Sequence, residues 1–510
     1  MSWMIWRVWK FTILPALYPD EPKAFPYLIP FIGHASAFFN DADGLLTRGR
    51  EYFGETREPF SLTLAGEKLV ILTSAQDAAS AYKNTGSLSY DHFVKDLFQT
   101  YGVSHTTITR MYQPPQDFSN EKASSSNTLL QTENPSGKNL CHLQSDFYKQ
   151  QLHPSERLDT LGVKFLGNIN EHLRYDRISA NYEVTSSKAQ EGTNFKTISL
   201  YRWCREVLVH SATQTFFGKQ LFALDPNFLQ TFYTYDSTSW KLLYKYPRPF
   251  AQDVNTAKRS LVSTLTAYLT LPSTSRQDAS WLMQTLEREQ RAIGIDTANI
   301  AAMMMLAHWV INANAYKLCF WLLAYTFHTP SLLSKLLTET APAIRSSNDV
   351  DMAYLTTHCP HLTATYHEVL RLTSSAASVR TAEAPTVIGR KLLRKGTKLM
   401  SPFRQLHFDE RIFGPDAQRF VPERFLRDEG LVRSKGFRPF GGGTTHCPGR
   451  FVAKQEVFMF VVVVLHRFEV RLAGGTQTFP SLERKKPSLG VMDPVDGDDV
   501  LVEVREGSGI

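Results

Sequence analysis

The residue with the clearest chemistry is Cys447. It lies in the stretch Phe437-Arg438-Pro439-Phe440-Gly441-Gly442-Gly443-Thr444-Thr445-His446-Cys447-Pro448-Gly449-Arg450. A glycine-rich turn presents this cysteine, and an apolar run from Phe451 to about Leu465 predicts a helix directly behind it. A helix start offers unpaired N–H groups and the positive end of the dipole, and both favour sulfur as thiolate. Gly441, Gly442, Gly443 and Gly449 let the backbone approach something flat and bulky, and Pro448 suits the first helical position. A buried structural cysteine is the plainer reading. It would require the phenylalanine, glycines, cysteine, proline and arginine to fall in register by chance.

The spacing Phe-x-x-Gly-x-x-x-Cys-x-Gly resembles the heme-ligand loop of the cytochrome P-450 family, and the resemblance implies that Cys447 is the proximal thiolate on the iron of heme b. Phe440, Gly443 and Gly449 then belong to the cofactor-binding loop. The Glu368-x-x-Arg371 pair and Phe420-Val421-Pro422-Glu423-Arg424-Phe425 stand upstream in the family's order. By that resemblance Glu368, Arg371 and Arg424 form a buried charge triad that locks the loop against its neighbouring helix. Arg380 is implied as a propionate partner, and Ser374 to Ser378 as lining of the distal pocket. Position 445, often Arg or His in the family, is Thr445, so that propionate contact is either weaker or comes from elsewhere. His446 reads as a locally bonded loop side chain.

A second departure lies in the segment that relays protons to iron-bound dioxygen, where the family usually has Ala-Gly-x-Asp/Glu-Thr. Here Ile311-Asn312-Ala313-Asn314-Ala315 stands in its place, so Asn314 and Ala315 replace the acid and the alcohol. An amide does not titrate and alanine donates no hydrogen bond. The segment from Ala313 to Trp321 resembles the bile-acid sterol 7-alpha-hydroxylase and prostacyclin synthase branch, which includes an isomerase. His308, seven residues before Ala315, is either a substitute donor or a satisfied core histidine, and the latter is favoured.

These residues need elements to hold them. A long helix is expected from a cap at Asp296-Thr297 to a stop at Pro330, about 48 Å at 1.5 Å per residue. Proline at a helix entry starts Pro360 to Leu372, which puts Glu368 and Arg371 on one face. Two short strands are expected around Gly66 within 58–73, further strands at 386–400, and a turn at Asp496-Gly497 into Val500–Val504. Cys141 to about Pro330 reads as helical, broken near Thr185–Asn194 and Leu271–Asp278. Gln113 to Asn139, rich in Ser, Asn, Pro and Gln, reads as a loop, and the family resemblance makes it a lid over the substrate pocket. The implied fold is mainly α (α+β), with a long central helix over heme and small sheets. No repeat of solenoid or propeller type is visible.

The chain has 510 residues, of which 43% are hydrophobic and 21% charged, a composition that supports a large core. Its five cysteines form no close pair, which excludes a disulfide scaffold or zinc ribbon. The net charge is +7, but no Lys/Arg run interleaves with aromatics, which argues against nucleic acid. Basic residues gather instead around the loop, at Arg427, Arg433, Lys435, Arg438, Arg450 and Lys454, either as a solvated face or as a docking patch for an acidic electron donor. Residues 1–18 carry Trp3, Trp6 and Trp9 with Arg7 and Lys10. They are too short to cross a bilayer and suit a membrane interface. The proline-rich stretch 19–34 resembles the hinge of membrane-bound family members, leaving 35–510 as the catalytic domain.

The resemblance therefore implies a heme-thiolate monooxygenase that oxidises a lipophilic small molecule. The style of the sequence is similar to fungal biosynthetic members that tailor secondary metabolites such as terpenoids or polyketides. Electrons would come from NADPH through a separate flavoprotein reductase, since the chain has no nucleotide-binding glycine motif of its own. The expected location is the cytosolic face of the endoplasmic reticulum membrane. Two alternatives remain: an isomerase or dehydratase of the same fold that needs neither reductase nor external oxygen, and a catalytically silent heme protein.

Overall fold

The computed structural model describes residues 2–115, 132–178, 182, 195–346 and 349–507. The chain sorts into two compact units, each assembled from separate stretches. One comprises Met1–Val94, Pro360–Cys447 and Pro480–Asp498; the other comprises Lys95–Cys359, Pro448–Phe479 and Asp499–Ile510. Most of the expected lid (116–131) and the whole of the expected break near Thr185–Asn194 fall outside the described residues.

The first unit is built on a six-stranded mixed sheet. Its strand order is Lys23–Ala24, Phe60–Leu64, Glu67–Ile71, Lys398–Pro402, Ala377–Ala382, Leu88–Ser89. The two strands expected around Gly66 are an antiparallel hairpin, with Leu64 opposite Glu67. Its two-residue turn, Ala65-Gly66, has φ of 47° and 86°, the doubly left-handed geometry that matches strand twist. Lys398–Pro402 joins both halves of the sheet, parallel to Glu67–Ile71 and antiparallel to Ala377–Ala382. Val70, Leu72, Ala81, Leu88, Ala382 and Leu399 make one buried cluster, to which Ala81 comes from the helix Ala75–Lys83. Ser74 starts that helix, its hydroxyl accepting from the Asp77 N–H at 3.3 Å. The Pro360–Thr373 helix carries Glu368 and Arg371 on its buried face.

The second unit is largely helical. Glu156–His172, Leu200–Phe217, Ala315–Phe327 and Arg450–Arg467 pack against one another as a four-helix bundle. Capping side chains mark helix starts in this unit: Ser199 Oγ accepts from Arg202 N at 3.1 Å at the start of Leu200–Phe217, and Asp296 Oδ1 from Asn299 N at 2.9 Å at the start of Thr297–Asn312. Gly218, at φ 77°, ends Leu200–Phe217 in the left-handed conformation that glycine supplies at no steric cost. An antiparallel sheet of Phe468–Leu472, Leu501–Glu506 and Lys196–Ser199 completes the unit. The last of the strands expected from sequence thus forms, directly after the turn at Gly497. Between Gln252–Thr270 and Trp281–Ala292 the expected interruption is a 3-10 turn, Ser273–Arg276.

Two expectations are corrected. The single long helix is two, Thr297–Asn312 and Ala315–Phe327, because the helical hydrogen-bond ladder is interrupted at Ala313-Asn314, where Asn314 has φ −126° and ψ −39°. Pro448 is not the first helical residue: the helix begins at Arg450, with Gly449 as its N-cap.

The bundle buries one ionisable group at a cost. Glu456, in the middle of Arg450–Arg467, is 4% exposed, and its Oε1 has no hydrogen-bond partner among the described residues. Burial raises its pKa from 4.5 to about 8, so the folded protein holds this proton at neutral pH. The unfolded chain releases it near 4.5. Stability therefore falls as pH rises from about 4.5 to about 8, and this contribution levels off above that. Glu456→Gln is expected to remove this slope: its unfolding midpoint should match the parent at pH 5 and exceed it by about 5 °C at pH 9, read by thermal denaturation.

Candidate functional site

Glu368 is completely buried, and every acceptor direction of its carboxylate is used. Arg371, one helical turn on, grips it in bidentate fashion, with Nη2 on Oε1 and Nε on Oε2, both at 2.8 Å. Arg424 Nε reaches both oxygens at 3.1 Å, and the Val421 N–H donates to Oε1 at 2.9 Å. The two guanidiniums spend their remaining donors on main-chain carbonyls. Arg371 binds His407 O at 3.0 Å and Ala417 O at 2.6 Å, and Arg424 binds Phe413 O and Asp416 O. Asp416, absent from the sequence reading, supplies the second negative charge at 3.0 Å from Arg424 Nη1, which holds its carboxyl below the usual carboxylate range. The three residues expected to meet do meet, with two carboxylates balancing two guanidiniums.

His407 connects this network to the cysteine loop, and sequence reasoning assigned it no role. Its Nε2 accepts from the Arg438 N–H at 3.0 Å, which leaves Nδ1 as the donor to Arg371 O at 3.1 Å. Burial, reinforced by Arg371, lowers its pKa to about 3, so the ring stays neutral and the tautomer is fixed by its two partners. The signal available in the sequence was a lone histidine in His407-Phe408-Asp409, which has no distinguishing pattern of its own.

The loop itself is closed by the Cys447 N–H donating to Phe440 O at 3.0 Å and by His446 N to Gly443 O at 3.3 Å. Phe437 anchors its start, buried against Phe425, His367 and His407 with ring centroids 5.2–5.6 Å apart. Only two of the four glycines need glycine's backbone freedom: Gly441 at φ 74° and Gly443 at φ 62°. A Cβ on Gly443 would also come within 2.9 Å of Tyr82 O, so the turn sits directly on that backbone. Gly442 (φ −177°) and Gly449 (φ −77°) are conformationally ordinary. Cys447 is partly exposed, and the His446 side chain is exposed.

Arg380 comes to this loop from the strand Ala377–Ala382. It is 6% exposed and has no carboxylate partner among the described residues. Its Nη2 donates to Thr445 Oγ1, and its Nη1 to Val379 O at 2.7 Å and Ser378 Oγ at 3.0 Å. Tyr82 and Tyr90 rings flank the guanidinium at 5.5 and 4.8 Å. Burial lowers its pKa, and a buried cation left without a counter-charge suits an anionic group such as a propionate. Thr445, which in turn donates to Gly442 O at 3.2 Å, is thus the residue that orients Arg380. A sulfur on a glycine turn beside such an arginine fits a heme, whose iron needs one further protein ligand.

Asn314 and Ala315 belong to the second unit, at the helix break. His308, in the turn before it, is a core histidine: it is 1% exposed, its Nε2 lies 2.9 Å from Thr213 Oγ1, and it is ringed by Phe217, Phe228 and Phe232. Burial lowers its pKa to about 3, so it carries no proton to give at neutral pH beyond its single N–H.

Removing the central carboxylate should be severe. Glu368→Ala leaves two buried guanidiniums facing each other and is expected to cost about 3–5 kcal/mol. Glu368→Gln should cost less, since the amide oxygen still accepts from an arginine. Chemical denaturation of the two variants beside the parent checks the order.

With the geometry in place, comparison with known proteins is informative. A family model described as Cytochrome P450 matches residues 176–498, more than half of the chain. Cytochrome P450 monooxygenase poxD of Penicillium oxalicum is 24% identical over 485 residues, covering 92% of this chain and 91% of the relative. Cytochrome P450 monooxygenase nodJ of Hypoxylon pulicicidum is 22% identical over 512 residues, covering 96% and 91%. Cytochrome P450 7A1 of Sus scrofa is 25% identical over 327 residues, covering 58% and 64%. Among solved structures, retinoic acid bound cyanobacterial CYP120A1 superposes with a TM-score of 0.68 at 17% identity, covering 96% of this chain and 99% of that one, which establishes the likeness of fold. This chain belongs to the cytochrome P450 family of monooxygenases, oxidoreductases whose cofactor is a heme with a cysteine thiolate on its iron.

Proposed function

We propose that Cys447 is the thiolate ligand and that the enzyme inserts one oxygen atom into a lipophilic small molecule. The observation that carries this is the Phe440–Cys447 turn, closed on itself by a main-chain hydrogen bond, beside a buried Arg380 without a carboxylate partner. Heme with a thiolate ligand supplies the activation of dioxygen. The chain's own residues do the rest. Cys447 holds the iron, Arg380, oriented by Thr445, binds a propionate, and Phe440, Gly443 and Gly449 shape the seat. Glu368, Arg371 and Arg424 keep that seat in place.

The proposed substrate class draws support from the names of relatives. Relatives named Cholesterol 7-alpha-monooxygenase (Cricetulus griseus) and Steroid 17-alpha-hydroxylase/17,20 lyase (Ictalurus punctatus) support a polycyclic lipophile. A terpenoid or polyketide secondary metabolite is proposed within that class, in keeping with the likeness to fungal monooxygenases. NADPH supplies electrons through a flavoprotein reductase, docked on the exposed basic residues Arg427, Arg433 and Lys435 of the first unit.

A second reading keeps its place on one observation: Asn314 and Ala315 provide neither the acid nor the hydroxyl of the usual relay. An isomerase or dehydratase of this fold needs neither. The reduced, carbon-monoxide-treated protein is expected to show the red-shifted Soret band of a thiolate adduct, and Cys447→Ala to lose it. Incubation of sterols and terpenoids with reductase and NADPH under labelled dioxygen is expected to give singly labelled products. Conversion without NADPH or oxygen would select the second reading.

Residues 1–18 are proposed as a membrane-interface segment, 19–34 as its hinge and 35–510 as the catalytic body, placed on the cytosolic face of the endoplasmic reticulum. No helix among the described residues is long and apolar enough to cross a membrane. Instead Trp3 Nε1 donates to Leu28 O at 2.8 Å and Arg7 to Tyr27 O at 2.6 Å. These bonds tie the first helix to residues 27–28, and Met4, Ile5 and Trp9 in the one segment and Leu28, Ile29 and Phe31 in the other are all at least half exposed, apolar side chains suited to an interface. Trp9→Ala/Phe31→Asp is expected to cut binding to phosphatidylcholine–phosphatidylserine vesicles by about tenfold, measured by flotation, with the Soret band unchanged.

A further inference from the structure

We infer that Asp236 is a positioning residue for the oxygen-activating segment, its carboxylate pinning both sides of the Ala313-Asn314 break to the helix Phe228–Thr238. This rests on the reading of Asn314 and Ala315 as that segment.

The backbone alone does not fix the break. The N–H of Ala313 donates to Trp309 O at 3.0 Å as the last bond of the first helix, and the ladder resumes only where Leu318 N donates to Asn314 O at 3.1 Å. No side chain caps the new helix at Asn314. The angle between the two halves must therefore be set by side chains.

Asp236 divides its two oxygens between them. Oδ1 accepts from Trp309 Nε1 at 2.9 Å, in the last turn before the break. Oδ2 accepts from Tyr316 OH at 2.8 Å and lies 3.3 Å from Lys317 Nζ, both in the first turn after it. The Lys317 and Asp236 side chains are 8% and 5% exposed, so the pair is held away from solvent and its geometry is costly to distort. Tyr201 supports the clamp from a fourth helix, Leu200–Phe217, with its OH 3.3 Å from that of Tyr316. An ion pair serving stability alone would need only Lys317. The use of one oxygen for each half is what assigns a positioning role.

A second observation places something at stake in the break. Asn312 donates from Nδ2 to His308 O at 2.9 Å, while its Oδ1 is buried with no partner among the described residues. The segment without an acid or alcohol thus carries a buried amide acceptor, and its location depends on the same pin.

The test uses the heme-loaded full chain. Asp236→Asn takes away the carboxylate beside the buried Lys317 ammonium and risks misfolding, so Asp236→Asn/Lys317→Met is examined beside it. The infrared C–O stretching band of the ferrous carbon monoxide complex reports the surroundings of the bound gas, and hydrogen peroxide released per NADPH in the reductase-reconstituted system reports leakage. The double variant is expected to keep the thiolate Soret band, to broaden or split the C–O band, and to raise peroxide release several-fold. An unchanged C–O band and unchanged peroxide release, with the Soret band intact, overturn the pin. Asn314→Ala serves as the parallel arm. If it shifts the C–O band while the Asp236 variants do not, only the pin fails. If Asn314→Ala itself leaves the band unmoved, the reading of the segment fails, and the pin falls with it.

Discussion

The first unit depends on how two guanidiniums survive removal from water. Arg371 and Arg424 cannot shed their charge, so burial is tolerable only where every donor meets an acceptor. Glu368 provides the central acceptor, Asp416 the compensating charge, and carbonyls of Phe413, Asp416 and Ala417 the remainder. Those carbonyls belong to a stretch with little regular structure. The charge network therefore does for residues 413–424 what a sheet ladder does elsewhere: it gives irregular backbone a unique position.

That position is passed on. His407 spans from Arg371 O to the Arg438 N–H, and the cysteine loop begins at that point. Because the ring stays neutral, the bridge does not switch with pH in the physiological range. Phe437 then packs the loop's root, and the Cys447 N–H closes it on Phe440 O. The cysteine loop is thus fixed through hydrogen bonds to main-chain groups that run back to Arg371, and from there through its bidentate pair to a fully desolvated carboxylate. Arg380 stands on a different support, a strand flanked on both sides in the sheet, with Thr445 linking it to the glycine turn.

In the second unit polar groups are held differently. His308, Asp236, Lys317 and Asn312 all lie within an apolar helical interior: His308, Asn312 and Lys317 are on the two helices either side of Ala313-Asn314, and Asp236 bonds to both of them from Phe228–Thr238. Continuous helix would satisfy its own backbone without their help. The interruption sacrifices that self-sufficiency and hands the geometry to side chains. This is the sort of local inconsistency that sequences retain where function requires it.

Much was legible before any coordinates. The Cys447 turn, the Glu368–Arg371 spacing, the Arg424 motif, the hairpin about Gly66 and the cap at Asp296 are all local patterns, and local patterns are written in consecutive residues. What escaped depended on partners distant in the chain. Asp416 and His407 look ordinary until Arg424 and Arg438 are placed beside them, and Thr445 reads as a lost contact until Arg380 arrives 65 residues away to use its hydroxyl. The long helix was misread as continuous because Ala313-Asn314 contains neither proline nor glycine, and apolar residues dominate both sides of it. Sequence, read with its resemblance to the family, picked out the cysteine loop, the Glu368, Arg371 and Arg424 partners and the helical character, since the motifs that carry the resemblance are written in short stretches of residues. Only tertiary structure decided which buried charges are matched and where the helix breaks, because both turn on desolvation and hydrogen bonding between segments that the chain keeps far apart.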